Sequence, residues 1–220
     1  MMVRVWDAPT RLFHWALALC FIGLLVTSQV GGGAMVWHFR FGYGVLTLLL
    51  FRVFWGLLGG HWSRFSTFVV GPIAIWRYLH GQGKAHDGVG HNPLGALSVL
   101  AMLVFLGLQV GTGLMSDDEI ATAGPLTQFV SSSWVNNATY YHKDIGKFIL
   151  LGLVVLHLTA IGLYFFRKRE NLVKAMITGD KSLDFAAPSA RDALPERRRA
   201  GLIFLLCLAL VSGAVIGIGG

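Results

Sequence analysis

The sequence predicts an all-α integral membrane protein with five spanning helices. Three observations support this. The chain of 220 residues is 55% hydrophobic and only 13% charged, where a soluble domain carries about 25% charged residues. Its mean hydropathy is +0.63, too apolar for polar side chains to cover the surface, so the chain belongs in lipid. Five apolar runs also approach or exceed the length of about 20 residues that a helix needs to cross a bilayer.

The first run covers about 10–29, "TRLFHWALALCFIGLLVTSQ". Pro9 suits its start, where a missing N–H costs nothing. Arg4 and Arg11 precede it as in a signal peptide, but the run exceeds a usual signal core, so a retained helix is expected. The second run covers about 38–59, and the third about 93–115, with Asn92 as an N-cap before Pro93. The fourth covers about 141–166. The fifth, about 201–220, is just long enough to span. "RFSTFVVGPIAIWRYLHG" is apolar but short, and Pro72 interrupts it, so it is expected to lie in the membrane interface. "ENLVKAMITG" reads similarly, with Leu172, Val173, Met176 and Ile177 on one helical face. Residues 181–199 read as a polar linker ending in Arg197, Arg198 and Arg199. No internal repeat or low-complexity tract appears.

The net charge is +7. The Lys and Arg residues cluster beside apolar runs, as the positive-inside rule expects, which argues against nucleic-acid binding. The segment 116–140 carries Asp117, Asp118 and Glu119 with no Lys or Arg, whereas 167–199 holds nine basic residues. Arg4, Arg11, Arg64, Arg77 and Lys84 also fall on the second side. The N-terminus is therefore expected in the cytoplasm and the C-terminus in the periplasm. Tryptophans at 6, 15, 37, 55, 62 and 134 fall near the predicted helix ends, as in an aromatic belt. Cys20 and Cys207 both lie in apolar runs. Without C-x-x-C-H or C-x-x-C, covalent haem attachment and thiolate zinc or iron–sulfur sites are excluded.

Four histidines lie in the spanning runs: His14, His38, His142 and His157. His61, His80, His86 and His91 lie between runs. A titratable group in lipid is a functional candidate, because burying it unpaired is costly. His142 and His157 are fifteen residues apart. On a helix they return to within about 60° of one face, separated by about 22 Å. Imidazole is a common axial ligand of haem iron, and a redox centre near each membrane surface makes a transmembrane electron path. Topology pairs His38 with His142 on the outer side and His14 with His157 on the inner side, each pair suited to one low-spin b haem. His91, in "GHNPLGAL", has a depth close to that of His14, so a His14–His91 pair stays open on the residues alone. Gly42, Gly146 and Ala18 each follow a histidine by one turn and leave room for a flat macrocycle, whereas Ile161 after His157 does not. Candidate counter-charges for haem propionates are Arg40, Lys143 and Lys147 outside, and Arg11 and Arg64 inside. Arg52, within the second run, must snorkel or find an anionic partner.

The segments "RLFHWALAL", "HFRFGYGVLTLLLFRVFWG", "GHNPLGALSVLAML" and "HKDIGKFILLGLVVLHL", in that order over about residues 3–180, resemble the bacterial cytochrome b561 and Ni,Fe-hydrogenase b-type cytochrome subunit family. The resemblance implies a four-helix membrane bundle binding two b haems. It also implies electron transfer across the inner membrane between the quinone pool and a periplasmic c-type cytochrome, hydrogenase or other dehydrogenase. It places the ligands on His14, His38, His142 and His157, which favours His157 over His91. Residues 1–180 then form the di-haem domain, 181–200 a basic cytoplasmic linker, and 201–220 an additional fifth transmembrane helix. Two departures stand out. The connection "VGGGAMVW" is shorter than the segment hydrogenase subunits often carry there. The fifth helix is an addition whose small residues, "SGAVIGIGG", permit close helix contact and suit docking or a homodimer.

The expectation is a respiratory electron carrier whose redox chemistry belongs to the haem. The alternative is a non-redox transporter or metal-ion conduit using the same histidines. That alternative calls for broken helices, repeats or an intramembrane carboxylate, and none of these is evident in the sequence. No carboxylate or tyrosine pair marks a quinone pocket.

Overall fold

The computed structural model describes residues 1–83, 85–118 and 122–218. Lys84, Glu119 and the last two residues of the fifth predicted helix lie outside the described residues. In lipid every backbone polar group must be satisfied within the structure, so the apolar runs become helices. The elements in chain order are β1 (Met2–Arg4), α1 (Ala8–Val30), α2 (Met35–Leu58), α3 (Phe65–Phe68), α4 (Pro72–Leu79), α5 (Pro93–Leu114), α6 (Ser132–Tyr140), α7 (Lys147–Arg167), α8 (Leu172–Thr178), β2 (Asp180–Ser182) and α9 (Leu194–Ile218). A π-helical turn, Tyr141–Gly146, joins α6 to α7. Among the described residues five stretches are long and apolar enough to cross a membrane: Ala8–Val30, Gly32–Leu58, Pro93–Leu114, Ser132–Arg167 and Leu194–Ile218. The protein is an all-α, multi-pass membrane protein.

Three features stand apart from the sequence reading. The fourth spanning helix begins at Ser132, because Ser131 caps it by accepting a hydrogen bond from the Trp134 N–H (3.4 Å). The fifth begins at Leu194. Pro195 and Glu196 both suit a first helical turn, so the basic run continues the helix where a linker end was expected. The N-terminus forms a short ribbon in which β1 pairs antiparallel with β2, Val3 opposite Lys181.

The chain divides into two compact units, Met1–His14 with Arg52–Ala101 and Val155–Ile203, and Trp15–Phe51 with Met102–Val154 and Phe204–Gly220. Each of the five long helices contributes residues to both.

In the first unit Val3, Val5 and Trp6 pack against Val89 and Ala175. Burial of each large apolar side chain is worth about 1.5–3 kcal/mol, which anchors a ribbon too short to hold by its ladder alone. Gly179 adopts φ +91° and accepts hydrogen bonds from the N–H groups of Val5 and Trp6 (2.8 and 3.0 Å). A Cβ there would lie 2.6 Å from the Trp6 carbonyl oxygen, so only glycine fits. Asp7 is fully buried. It caps α1 by accepting from the Thr10 N–H (2.8 Å), and it also accepts from Ser63 Oγ (2.7 Å) and Trp55 Nε1 (3.2 Å). Trp55 is 1% exposed, so it departs from the belt reading, as does the buried Trp6. Their rings fill this unit's core. Trp15, Trp37 and Trp134 are exposed.

In the second unit Val45, Leu49, Leu106 and Leu150 form the core, flanked by Leu17, Phe21, Leu24 and Leu153. These positions lie on α1, α2, α5 and α7 and form an apolar bundle interior. Cys20 and Cys207 are free thiols.

Asp192 gathers the charges of the first unit. It receives Arg4 (2.5 Å), Arg197 (2.9 Å) and the Ala8 N–H (3.1 Å), with Arg11 at 3.7 Å. Burial alone would push its carboxyl up. The bonds from Arg197, Ala8 and Arg4 outweigh this and hold it below the usual carboxylate range. A carboxyl held low in the folded state stabilises fully above its unfolded value, near pH 4, and loses that contribution as pH falls through the lower folded value. Thermal unfolding should therefore show a midpoint that falls below about pH 4. In Asp192→Asn the midpoint should be lower at pH 7 and the acid dependence flatter.

Candidate functional site

In the second unit His38 on α2 faces His142 in the π turn. Their ring centres are 6.2 Å apart with planes at 83°. His38 Nδ1 lies 3.2 Å from both the Leu24 carbonyl oxygen and Thr27 Oγ1. His142 Nδ1 lies 2.9 Å from the Gln109 carbonyl oxygen. A carbonyl only accepts, so both Nδ1 atoms carry the proton and both Nε2 lone pairs are left for a metal. Gln109 also holds the turn by donating from Nε2 to the His142 carbonyl (2.9 Å). The rings border a cavity of about 470 Å³ lined by apolar residues including Phe21, Val45, Leu106 and Leu150, and also by Lys143 and Lys147. Gly42 borders this cavity too, and a Cβ there would meet open space. Gly146 instead packs against Gln109 and Tyr141.

In the first unit His14 on α1 and His157 on α7 lie with ring centres 6.3 Å apart and planes at 50°. His91 is placed differently. Its ring lies between Trp6 (4.7 Å) and Phe68 (4.6 Å). Burial, with the nearby positive charge of Arg52, pushes its imidazole down to about 3, so it is neutral at physiological pH.

A metal–imidazole bond is about 2 Å and the ring centre lies about 1 Å behind the nitrogen, so two imidazoles on opposite faces of one metal have centres about 6 Å apart. Both pairs match this spacing. Among the described residues no three His, Cys, Asp or Glu side chains are grouped to hold a metal ion. Two-imidazole sites of this kind suit a metal that brings its remaining ligands with it, as haem iron does. The residues present fit the group.

The remaining candidates separate. Arg52 is 3% exposed. Its guanidinium lies over the rings of Phe65 (4.7 Å) and Phe68 (5.9 Å), and its Nη1 is shielded from solvent with no hydrogen-bond partner among the described residues. Arg11 is engaged elsewhere, donating to the Ile177 carbonyl (2.5 Å). Arg64 lines a separate cavity of the first unit. Arg40 stacks on Trp37 (4.8 Å). Sequence reasoning missed Gln109, Gly113 and Thr27. A Cβ on Gly113 would lie 2.7 Å from His142 Cε1, so a larger residue there would hold α5 away from the imidazole. The pair of glycines in "QVGTG" is the one trace of it in the sequence.

A lipid-embedded helical bundle with facing imidazoles is the architecture of a membrane cytochrome b. The chain belongs to the prokaryotic cytochrome b561 family, whose family model matches residues 5–179. It is similar to the probable Ni/Fe-hydrogenase B-type cytochrome subunit of Bradyrhizobium diazoefficiens (25% identical, covering 81% of this chain and 85% of the relative). The corresponding protein of Azotobacter chroococcum is 27% identical over 80% of this chain and 87% of its own length. The probable Ni/Fe-hydrogenase 1 B-type cytochrome subunit of Escherichia coli K12 is 25% identical over 86% and 94%. No solved structure matches the chain. Family membership makes the protein a b-type cytochrome of electron transfer, with haem b as its cofactor.

Gly113→Val should displace the His142 ring and lower the haem absorbance per polypeptide. Gly107→Val, on the same helix where a Cβ meets nothing, should leave it unchanged in the reduced-minus-oxidised spectrum.

Proposed function

We propose that the protein holds two haem b groups, one between His38 and His142 and one between His14 and His157. In this reading it serves as the membrane electron-transfer subunit of a respiratory hydrogenase. The observation that carries the proposal is the pair of 6 Å imidazole contacts, at 6.2 and 6.3 Å, within a family of b-type cytochromes. The names of its relatives favour hydrogenase over a c-type cytochrome or another dehydrogenase as the partner. Quinone or quinol is the second partner, because a lipid-soluble carrier is the kind that reaches helices inside a bilayer. The charge pattern of the loops supports the inner membrane with the N-terminus in the cytoplasm and the C-terminus in the periplasm. The exposed leucines of α9, such as Leu202, Leu206 and Leu210, suit lipid, subunit docking or a homodimer contact.

Haem supplies reversible one-electron storage when bound. The protein's own residues set its surroundings. The main-chain carbonyls of Leu24 and Gln109 fix the tautomers of His38 and His142 and orient both rings, an outer contact that also raises ligand basicity. Val45, Leu106 and Leu150 keep water away. Lys143 and Lys147 suit the propionates of one haem, with Arg40 a further candidate. Arg52 suits a propionate of the other. A buried cation is expensive, the charge of Asp7 reaches it without forming an ion pair, and a carboxylate at its bare Nη1 would relieve the rest of that cost. Arg11 and Arg64 are the weaker candidates, given where their side chains lie.

Haem per polypeptide, measured as the pyridine haemochrome, should be two in the unaltered protein and one in each of His38→Ala and His157→Ala. His91→Ala should keep two. Full content in His157→Ala together with loss in His91→Ala would replace the second pair by His14 and His91.

A further inference from the structure

The first unit contains a second cavity, of about 460 Å³, away from the imidazole pair. Its size is within the range of about 300–1,000 Å³ typical of small-molecule pockets. Arg64, Arg191 and Arg199 line it, together with Glu196 from the first turn of α9 and Trp55 and Leu58 from the end of α2.

Three other arginines of this unit, Arg4, Arg11 and Arg197, are engaged by carboxylates or by the main chain. Arg64, Arg191 and Arg199 form no ion pair or side-chain hydrogen bond among the described residues, and all three are exposed. Glu196 Oε2 is shielded from solvent and accepts no hydrogen bond among the described residues. The wall therefore presents three free cationic forks and one acceptor that lacks a donor. Leu58 beside them is 47% exposed and belongs to a spanning helix, so the cavity adjoins apolar surface.

We propose that this cavity binds the headgroup of an anionic glycerophospholipid. The guanidinium forks match phosphodiester oxygens, a headgroup hydroxyl donates to Glu196, and the acyl chains follow the α2 surface past Leu58. Basic pockets beside spanning helices are suited to such headgroups. A choline headgroup has no donor for Glu196. An ethanolamine headgroup would bring a cation among three arginines. Phosphatidylglycerol has the required charge and hydroxyls.

The test is native mass spectrometry of the delipidated, haem-loaded full chain in detergent. Phosphatidylglycerol, phosphatidylmethanol, phosphatidylcholine or inorganic phosphate is added at equal concentration. Phosphatidylglycerol should be retained at least about fivefold over phosphatidylcholine, and Arg191→Gln/Arg199→Gln should lower its retention by about fivefold per arginine, the scale of one basic residue's attraction to anionic lipid. Haem content should not change in that variant. Glu196→Leu should erase the preference for phosphatidylglycerol over phosphatidylmethanol, which shares the phosphodiester and lacks the hydroxyls. Equal retention of phosphatidylcholine, or full retention by the double variant, would reduce the binding to unspecific lipid coating and overturn the proposal. So would displacement of the lipid by inorganic phosphate alone, which marks an adventitious ion only, or by added quinol, which would assign the cavity to quinone.

Discussion

An imidazole inside an apolar bundle must have both nitrogens satisfied. A buried polar atom left alone costs about 1–3 kcal/mol, comparable to the whole gain from burying one leucine. In the second unit the main chain meets half of this demand. The Leu24 and Gln109 carbonyls, from α1 and α5, each face one Nδ1. In the proposed reading the other nitrogens are left to haem iron. Much of the local structure follows from that arrangement. The π turn reorients His142 with respect to the rest of its helix, as such turns often do at functional sites. Gly113 lets α5 come close enough for its Gln109 carbonyl to be useful. Gln109 then returns its side-chain amide to the same turn.

The first unit meets a similar demand with charges. Asp7 is a fully buried carboxylate, and three donors from the chain hold it. Its place at the start of α1 sets the helix seven residues before His14. Arg52 is the counterpart with its demand unmet, a buried guanidinium on two aromatic faces with a bare nitrogen. In the proposed reading a haem propionate supplies the anion that Nη1 lacks.

Much of this architecture could be read from the residues. Long apolar runs identify spanning helices because lipid leaves the backbone no alternative, and a histidine in such a run stands out for the same reason. Helix order and loop charge pair His38 with His142 and leave His14 with either His157 or His91, and the family resemblance favours His157; the ring centres of His38 and His142 and those of His14 and His157 lie 6.2 and 6.3 Å apart. What escaped were features set by tertiary contact. The ribbon of Met2–Arg4 with Asp180–Ser182 joins segments far apart in sequence, and neither segment has a strand's length. Asp7 sits outside every apolar run, so hydropathy gives no hint that it is buried. Trp55 reads as a belt residue until Asp7 is seen to accept its indole N–H. The starts of the fourth and fifth helices lie in polar sequence, where a cap or a first-turn proline decides and apolar patterning is silent. Gly113 is one of 28 glycines in the chain, and only its nearness to His142 sets it apart.

Electron paramagnetic resonance of the oxidised, purified protein tests the ligand assignment most directly, because it reports what sits on the iron. Low-spin ferric signals of the two-imidazole type, integrating to two haems per chain, are expected. A dominant high-spin signal, or a single low-spin haem in fully loaded protein, would contradict that assignment.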